Sequence, residues 1–406
     1  MTPLISLLGM LTLLSIAYAC SAARSRINWR TVGLAFGLQL LLGSLALYLP
    51  PGIAMLEAIS AAVSGVLDNA QEGIAFVFGP IGQFEMGFIF AFHVLPVVVF
   101  FASLVSVLYY LGVMGWLIRV IGGALRKLLG TSKAESMSAT ANIFVGQIEA
   151  PLVVRPYIAT MTRSELFAIM VGGMATVAGS VLAGYVLLGV DIRFLLAASF
   201  MAAPGGFLMA KIFVPETETI KNEDENFHLE FERHVNVIDA AAAGASSGMI
   251  LAINIGAMVL AFVGLIAVIN GLLGWFGGLV GFDELSLQYV FGVVLQPLAF
   301  LLGVPWEESR MAGSLIGQKL VFNEFVAFVE FTGQIDSFST HTQAVVSFAL
   351  CGFANFASIG IQLGGLGTMA PQRRGEIAEL GLKAVLAGFM ANLMSAAIAS
   401  FFLSLG

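Results

Sequence analysis

Two acidic side chains stand in otherwise apolar stretches of this chain, and each has a neutral amide side chain close by. Gln147 and Glu149 lie within IFVGQIEAPLVV, residues 143–154, and Asn323 and Glu324 lie within SLIGQKLVFNEFVAFVEF. A carboxylate accepts hydrogen bonds from hydroxyl and amino groups, whereas an amide side chain both donates and accepts them. Because a carboxylate in apolar surroundings is costly without a partner, these residues indicate a binding site for a polar solute or an ion.

Two further polar residues, Asn355 and Ser358, lie in the stretch CGFANFAS and add neutral donors and acceptors. The sequence shows no basic residue at the polar centre of either acidic stretch. Such a set, with at most two negative charges, favours a neutral solute with hydroxyl groups or a heterocycle over an anion. The alternative is that Glu149 is a buried acid paired with a nearby arginine such as Arg155.

A cation could bind beside these residues. Asn142 directly precedes the acidic stretch that contains Glu149. Thr176 lies in the glycine-rich stretch MATVAGS, where a helix break would free backbone carbonyls. Hard oxygen ligands from unwound helices hold sodium in secondary transporters. Two alternatives remain open: Thr176 forms a hydrogen bond within its own helix, and Asn142 caps a helix.

The composition identifies the solvent in which these residues must fold. Charged residues make up 11% of the chain, hydrophobic residues make up 59%, and the mean hydropathy is +0.95. A soluble domain carries about 25% charged residues, so this chain is predicted to be an all-α polytopic membrane protein. Cys20 and Cys351 are expected to pack as small apolar residues rather than form a disulfide. The N-terminal apolar run has no charged residue before it, which favours a retained first span over a cleaved signal peptide.

Eight stretches are long and apolar enough to cross a bilayer, which needs about 20 residues. Residues 53–69 differ, because apolar and polar side chains fall on opposite sides of a helix there. We expect this amphipathic helix to lie in the membrane interface. The polar stretch at 213–235, which is rich in acidic residues, is expected to form a solvated loop or a short surface helix. The predicted spans are 3–20, 31–49, 88–112, 165–189, 192–212, 244–270, 343–365 and 384–405.

The basic residues predict the orientation of the chain in the membrane. If the N-terminus lies outside, fifteen of the eighteen lysines and arginines fall on the inner side. Only Arg193, Arg310 and Lys319 fall on the outer side. Because inner loops are enriched in basic residues, both termini are predicted to be extracytoplasmic.

Two apolar segments, 131–160 and 304–332, are interrupted halfway by the polar stretches that contain Glu149 and Glu324. Each segment could be one poor transmembrane helix or a re-entrant hairpin whose tip reaches the middle of the membrane. We favour hairpins, because they leave the charge distribution unchanged. A broken tip is tolerated in a membrane only where it lines a cavity enclosed by protein.

An internal comparison indicates two copies of one unit. The stretch LLG, followed by Glu-Ser, recurs at an offset of 173 residues, and Glu149 corresponds to Glu324 at an offset of 175. GMATVAG at 173–179 resembles GFANFAS at an offset of 179. Three spans intervene, an odd number, so the second copy is predicted to be inverted. Inverted repeats whose broken helices meet at the midplane are the architecture of secondary transporters.

Several stretches resemble the signatures of the concentrative nucleoside transporter family. They are ATANIFVGQIEAPLVVRPYIATMTRSEL, GGMATVAGSV, NEFVAF and CGFANFASIGIQLGGLG, and the likeness runs from about residue 85 to the end of the chain. The resemblance implies a homotrimer whose protomers each have eight spans, two re-entrant hairpins and an interfacial helix. It also implies that a transport domain moves across the bilayer as an elevator, driven by sodium or, in some members, by protons.

The resemblance divides the chain into a scaffold and a transport domain. The scaffold comprises residues 1–112, with spans 1–3 and the interfacial helix near 53–69, and residues 213–280, with the cytoplasmic loop and span 6. The transport domain comprises residues 113–212, with hairpin 1 and spans 4 and 5, and residues 281–406, with hairpin 2 and spans 7 and 8.

The resemblance also implies which residues bind substrate. Gln147 and Glu149 match positions that meet the nucleobase, and Phe353 matches the aromatic residue beside it. Ile148 stands where a hydroxyl-bearing residue is expected, which removes one polar contact to the base. The positions that hold the ribose hydroxyls are matched by Glu324, Asn355 and Ser358.

Two further sets of positions follow from the same resemblance. The combination of Gly146, Ser180 and Val181 looks like that of broadly selective members rather than strictly pyrimidine-selective ones. The sodium ligands are matched by Asn142, Thr176 and the backbone carbonyls of Val145 and Val177.

We therefore predict a secondary active symporter that imports nucleosides of the uridine, cytidine and adenosine class across the bacterial cytoplasmic (inner) membrane, coupled to sodium. Proton coupling is one alternative, and cation-coupled transport of another neutral solute, such as a free nucleobase, is the other. An enzyme is not expected, because no GxSxG stretch occurs and the four histidines lack HExxH-type spacing. His93 and His341 are expected to pack or to form hydrogen bonds. No cofactor besides the coupling ion and no nucleic-acid partner are expected.

Overall fold

A computed structural model describes residues 2–83, 87–220, 227–279, 281–282 and 284–405. These residues form α-helices and a few short 3-10 helices, and they contain no β-strand. The predicted all-α class is confirmed for this part of the chain. The first six helices are α1 (Thr2–Ala19), α2 (Trp29–Leu47), α3 (Pro50–Phe78), α4 (Phe90–His93), α5 (Leu95–Tyr110) and α6 (Val113–Leu129).

The middle of the chain alternates short and long helices. Its elements are α7 (Lys133–Ala141), α8 (Glu149–Leu152), α9 (Arg155–Ile158), α10 (Arg163–Ala175), α11 (Gly179–Leu187), α12 (Ile192–Phe213) and α13 (Val237–Leu279). The C-terminal elements are α14 (Leu287–Leu301), α15 (Trp306–Val321), α16 (Glu324–Gly333), α17 (Thr340–Leu350), α18 (Ala357–Met369) and α19 (Arg374–Leu403).

Within the described ranges, eight stretches of helix are long and apolar enough to cross a membrane, and seven of them overlap predicted spans. The eighth predicted span, 343–365, is divided into α17 and α18, each of which is too short to cross alone. The stretch that takes its place in the count is Pro50–Gln83, which contains α3. The predicted number of apolar helices is therefore about right, although one of the predicted spans is replaced by a different stretch.

Helix α3 is longer than the amphipathic segment predicted at 53–69. Its 29 residues begin at Pro50, which suits the first turn because proline lacks an N–H that would be unpaired there. Leu56 and Leu67 are buried, whereas Glu57 and Asp68 are exposed, so one side of the helix packs on the protein. Its length and composition would also suffice for a span. The interfacial orientation stays a prediction.

Four helix breaks recur in the order that the internal repeat predicts. The first predicted hairpin is broken between α7 and α8, at 142–148, and the following span is broken between α10 and α11, at 176–178. The second is broken between α15 and α16, at 322–323, and its following span between α17 and α18, at 351–356. Each acidic residue of interest, Glu149 or Glu324, is the first residue of the helix after the break.

Side-chain caps set where these helices begin. Ser132 and Glu135 form a capping box at α7, and Thr162 and Glu165 form the same box at α10. In the second copy, Asn323 accepts a hydrogen bond from the N–H of Val326 at 2.9 Å and so caps α16. These caps satisfy backbone donors that a helix start leaves unpaired inside the protein.

Two helices, α6 and α14, were not predicted. Helix α6 carries Arg119, Arg126 and Lys127, and its buried residues lie on one side, so it escapes a search for apolar runs of 20 residues. Helix α14 contains Pro297 and is followed by α15 at an angle of 116°. The bend falls at 302–305, where Gly303 adopts a left-handed φ of +96° that a residue with a Cβ rarely adopts.

Burial divides the helices into two groups. Within their most apolar windows, 94% of the residues of Arg163–Leu187 are buried, against 17% of those of Val237–Leu279. Helices α12 and α19 belong with the buried group, whereas α1, α2, α3 and α5 belong with the exposed one. The broken span formed by α10 and α11 is therefore enclosed by protein, as irregular backbone in a membrane requires.

Candidate functional site

A cavity of about 1140 Å³ lies where the helix breaks meet α5 and α13. All nine residues that the sequence assigns to substrate binding line it, although they come from four separate stretches of the chain. Apolar residues of α13, among them Leu251 and Ile255, form part of its wall. The cavity exceeds the 300–1,000 Å³ that is usual for small-molecule pockets, so it has room for a solute and water. The nine are Gly146, Gln147, Ile148, Glu149, Val181, Glu324, Phe353, Asn355 and Ser358.

Glu324 is held by two donors, one from α11 and one from the break between α17 and α18. The hydroxyl of Tyr185 donates to Oε1 at 3.1 Å, and Nδ2 of Asn355 donates to Oε2 at 3.0 Å. The side chain is only 4% exposed, so water cannot replace these donors freely. A carboxylate oxygen accepts more than one hydrogen bond, and Glu324 therefore retains acceptor capacity on a fixed carboxylate at the cavity wall.

Gln147 connects the break between α7 and α8 to α18. Its Nε2 donates to Oγ of Ser358 at 3.1 Å, and the Ser358 hydroxyl donates in turn to the carbonyl of Phe353. The backbone N–H of Ser358 donates to Oδ1 of Asn355 at 3.0 Å. Oε1 of Gln147 is buried and has no partner among the described residues, and other atoms of this residue line the cavity. Gly173 admits this arrangement, because a Cβ there would lie 2.8 Å from Cβ of Gln147.

Glu149 is exposed, in contrast to Glu324, and it lies at the cavity wall. It is the first residue of α8, where free backbone N–H groups favour a negative charge. Among the described residues it forms no ion pair with Arg155, so that alternative is not observed. Access to the cavity and the helix start together lower the cost of this carboxylate in an apolar stretch.

Three apolar positions shape the rest of the cavity. Ile148 packs against Gly365 of α18, where a Cβ would overlap its side chain. Val181 is 2% exposed and lies on α11, one helical turn before Tyr185. Phe353 is half-buried in the break between α17 and α18 and presents an aromatic ring to the cavity.

The four residues assigned to sodium cluster around the end of α10. Asn142 is fully buried, and neither its Oδ1 nor its Nδ2 has a partner among the described residues. A Cβ on Gly172 would lie 3.5 Å from that Nδ2, so the amide packs on the last turn of α10. The hydroxyl of Thr176 donates to the carbonyl of Gly172 at 2.9 Å. This is the hydrogen bond within its own helix that the sequence left open as an alternative to sodium binding. That bond uses the hydroxyl hydrogen and leaves the lone pairs of Oγ1 available.

Backbone oxygens complete this group. The carbonyls of Val145 and Val177 lie in non-helical segments, and neither accepts a hydrogen bond from the described part of the chain. Asn142 makes no side-chain cap bond at the end of α7, so the capping alternative is not observed. An unpaired buried polar group such as the amide of Asn142 is costly, and hard oxygens of amide, hydroxyl and carbonyl groups suit a cation such as sodium.

Comparison with known proteins identifies the family. Three family models match the chain: the N-terminus of Na+ dependent nucleoside transporters over residues 8–81, a nucleoside-recognition gate over 91–191, and the C-terminus of Na+ dependent nucleoside transporters over 194–400. The chain is 48% identical to the nucleoside permease NupC of Helicobacter pylori, covering 99% of this chain and 98% of that protein. The chain belongs to the concentrative nucleoside transporter family.

Solved structures show the same fold. The transporter is 55% identical to CNTnw in an inward-facing substrate-bound state, with a TM-score of 0.96 over 100% of this chain and 99% of that one. A variant of CNTnw in an outward-facing state gives a TM-score of 0.97 at 55% identity, with coverage of 100% and 99%. The relatives are named as transporters and permeases, and this family member is a membrane transport protein rather than an enzyme.

The histidines of the transporter have hydrogen-bonding roles, as predicted for two of them. Nδ1 of His93 accepts a hydrogen bond from the N–H of Ile89 at 2.8 Å, and Nε2 of His341 lies 3.0 Å from Oγ of Ser400. Within the described ranges, no three His, Cys, Asp or Glu residues are grouped as metal ligands.

Two basic side chains of the transporter were placed wrongly by the sequence. Lys319 was counted as a charge on the outer side, but it is fully buried one helical turn before the break at 322–323. Lys211 is also buried, and its Nζ lies 2.7 Å from Oε2 of Glu135. Neither lysine is a loop charge. Without these two lysines, fourteen of the remaining sixteen basic residues are predicted to lie on the inner side, so the predicted inward bias is unchanged.

Sequence reasoning also missed Tyr185, which orients Glu324. A signal for it was present, because Tyr185 follows Val181 by four residues and such residues share a helix face. Its partner, however, comes from α16, more than a hundred residues away. No short-range pattern predicts that contact.

Proposed function

We propose that this family member is a sodium-coupled symporter that imports nucleosides across the bacterial cytoplasmic membrane. The observation that carries the proposal is the convergence of the substrate-assigned residues on one cavity, together with a second group of oxygens among which Oδ1 of Asn142 is buried and unpaired. One cluster suits a polar solute and the other suits a small cation. Two adjoining sites of this kind are what cotransport needs, because each ligand can then favour binding of the other.

The polar groups at the cavity suit a nucleoside. Glu324, fixed by Tyr185 and Asn355, accepts hydrogen bonds from ribose hydroxyls, and Ser358 lies beside it. Oε1 of Gln147 and the carboxylate of Glu149 accept from amino or imino groups of the base. The ring of Phe353 offers a face for the base.

The base preference should be broad. Ile148 and Val181 contribute apolar surface and no hydrogen-bonding groups, and Gly146 contributes no side chain at all. A site with few directional contacts to the base discriminates weakly between bases. We propose uridine, cytidine and adenosine as substrates.

Sodium would be held by Oδ1 of Asn142, Oγ1 of Thr176 and the carbonyls of Val145 and Val177. These oxygens come from the tip of the first hairpin and from the broken span beside it. A cation between the two would fix the hairpin tip that carries Gln147 and Glu149. Sodium binding would therefore pre-organise the contacts to the base.

The movement that we propose is an elevator. The transport domain comprises residues 113–212 and 281–406, and the scaffold comprises 1–112 and 213–280, with α3 in the interface and both termini extracytoplasmic. The contrast between the enclosed broken helices and the exposed α13 supports this division. The apolar surface of α13, with Leu260, Trp275 and others exposed, would face lipid or the other protomers of a homotrimer.

The deciding experiment is uptake by purified protein in proteoliposomes. Uridine and adenosine are offered under an inward sodium gradient, an inward proton gradient or no gradient. We expect accumulation above the external concentration with sodium alone. Full accumulation with protons alone would replace sodium coupling by proton coupling. Competition by free uracil as strong as by uridine would indicate a nucleobase transporter instead.

A further inference from the structure

Lys319 is a buried ammonium without an acidic partner. Its side chain has no exposed surface, and Nζ donates to the carbonyl of Ala349 at 2.8 Å and to Oδ1 of Asn392 at 2.7 Å. In the described part of the chain, no carboxylate lies within ion-pair distance of it. A buried charge of this kind is costly unless other groups stabilise it. The presence of this lysine in the protein interior therefore indicates a role.

Two features of its surroundings stabilise the charge. Ala349 lies in the last turn of α17, where the helix carbonyls carry the negative end of the helix dipole. The ring of Phe389 lies with its centroid 5.7 Å from Nζ, which permits a cation–π interaction. The amine of Lys319 is thus held at the C-terminal end of α17, beside the break in the second broken span.

Lys319 also determines which way the amide of Asn392 points. An ammonium can only donate, so Oδ1 of Asn392 must face Lys319 and its NH2 group must face away. That NH2 group donates to the carbonyl of Ala175 at 2.7 Å and to the carbonyl of Cys351 at 2.9 Å. One side chain of α19 therefore joins the end of α10 to the end of α17, and Lys319 holds it in the orientation that makes both bonds.

The two joined ends lead to the two halves of the site. Ala175 precedes Thr176, which we assign to sodium, and Cys351 begins the break that carries Phe353 and Asn355. The N–H of Phe353 also donates to the carbonyl of Thr176 at 3.1 Å. A shift of one broken span is therefore transmitted to the other through Asn392 and this backbone bond.

We infer that Lys319 and Asn392 are positioning residues that form a bridge between the two broken spans. The bridge transmits sodium binding at the end of α10 to the nucleoside-binding side chains after α17. This inference rests on the proposed function for the identity of the two ligands. The bridge itself is a structural feature that can be tested without either ligand.

The structural test uses hydrogen exchange on the purified transporter without sodium or nucleoside. Lys319→Met removes the ammonium and keeps an unbranched apolar chain, whereas Lys383→Met, at an exposed position on α19, is the matched control. We expect amide exchange at least about threefold faster in both 172–178 and 349–356 for Lys319→Met only, because both breaks lose their shared support. Faster exchange confined to 349–356 would overturn the bridge.

The functional test measures how strongly sodium tightens uridine binding. The uridine Kd is determined without sodium and at saturating sodium, and the ratio of the two values is the linkage factor. We expect Lys319→Met to bring this ratio close to one, while Lys383→Met keeps the wild-type ratio. A lower affinity with an unchanged ratio would mean that Lys319 only supports the fold, and it would overturn the inference.

A second variant keeps the test decisive if Lys319→Met yields too little protein. Asn392→Asp leaves an acceptor for Lys319 but removes both donors to Ala175 and Cys351, so both the exchange and the linkage factor should change in the same directions. If wild-type uridine binding shows no response to sodium, the proposed sodium coupling fails. The exchange measurement still decides whether the bridge exists.

Discussion

The two copies of the repeat treat their helix breaks differently. At the first break, Asn142 is buried with an unpaired amide, and the carbonyls of Val145 and Val177 accept no hydrogen bond within the described residues. At the second break, Nζ of Lys319 donates to the carbonyl of Ala349, and Nδ2 of Asn392 donates to the carbonyl of Cys351. The first copy therefore leaves oxygens open at its break, where we propose that sodium binds, whereas the second copy has a lysine amine bonded at its break.

The two carboxylates differ in the same sense. Glu324 is enclosed and held by Tyr185 and Asn355, whereas Glu149 is exposed and relies on the start of α8. An acceptor that is fixed before the ligand arrives loses little freedom on binding. The second copy therefore provides a pre-formed half of the site, and we propose that sodium orders the half that the first copy provides.

The largest effect is expected from a test of whether the two copies are inverted in the membrane. Single cysteines replace Lys127, before the first hairpin, or Glu307, at the start of the second, in a background with the exposed Cys20→Ser and the buried Cys351 retained. Lys127→Cys should react with an impermeant maleimide only from the cytoplasm, and Glu307→Cys only from outside. Reaction of both from the same side would refute the inversion and, with it, the contrast between two opposed breaks.

The next largest effect concerns the two carboxylates. Glu324→Gln should weaken uridine binding about ten- to a hundredfold, because a hydrogen bond to a charged acceptor is worth about 1.5–3 kcal/mol. Glu149→Gln should cost less, since water in the cavity competes for its exposed carboxylate. Calorimetry with uridine and 2′-deoxyuridine measures both variants.

The deoxyriboside identifies which part of the substrate Glu324 meets. If Glu324 accepts from ribose hydroxyls, the loss on Glu324→Gln should be smaller for 2′-deoxyuridine than for uridine. Equal losses for the two ligands would contradict that assignment. A larger loss from Glu149→Gln than from Glu324→Gln would contradict the view that the second copy is the pre-formed half.

Thr176→Ala tests the open first break. Removing one oxygen ligand should raise the sodium concentration for half-maximal uptake about three- to tenfold, if that ligand is worth roughly 1 kcal/mol, as a typical hydrogen bond is. Uridine affinity at saturating sodium should stay near the wild-type value. Thr12→Ala is the control, since Thr12 on α1 makes the same bond to the carbonyl four residues earlier. An unchanged sodium requirement would remove Thr176 from the site.

The sequence predicted the parts of this site that short-range patterns encode. The breaks at Glu149 and Glu324 follow from polar residues in apolar runs, and the repeat follows from motifs at nearly constant offsets. Helices α6 and α14 were missed because basic residues and Pro297 hide them from a search for apolar runs.

Contacts between distant elements were beyond that reasoning. Lys319 was taken for an outer charge, because the sequence cannot show that α17 and α19 enclose it with a carbonyl and an amide. Lys211 was miscounted for the same reason, since its partner Glu135 lies on α7. A charge pattern gives a residue's sign but not its partner, and the partner decides whether the residue is a loop charge or a structural cation.

The smallest effect is expected from Tyr185→Phe, which tests whether the second copy holds Glu324 in place. The ring of Tyr185 lies 4.7 Å from Phe325 and 4.3 Å from Phe328, centroid to centroid, so phenylalanine can keep this packing and only the hydroxyl is lost. Asn355 still donates to Glu324, and cavity water can replace part of the missing bond. Uridine affinity should therefore fall only about three- to tenfold, which corresponds to roughly 0.7–1.4 kcal/mol. If the hydroxyl acts through the carboxylate, it should have little further effect once Glu324→Gln is present, so the two losses should be less than additive in the double variant. Strictly additive losses would show that Tyr185 acts independently of Glu324, and the pre-formed half of the site would then rest on Asn355 alone.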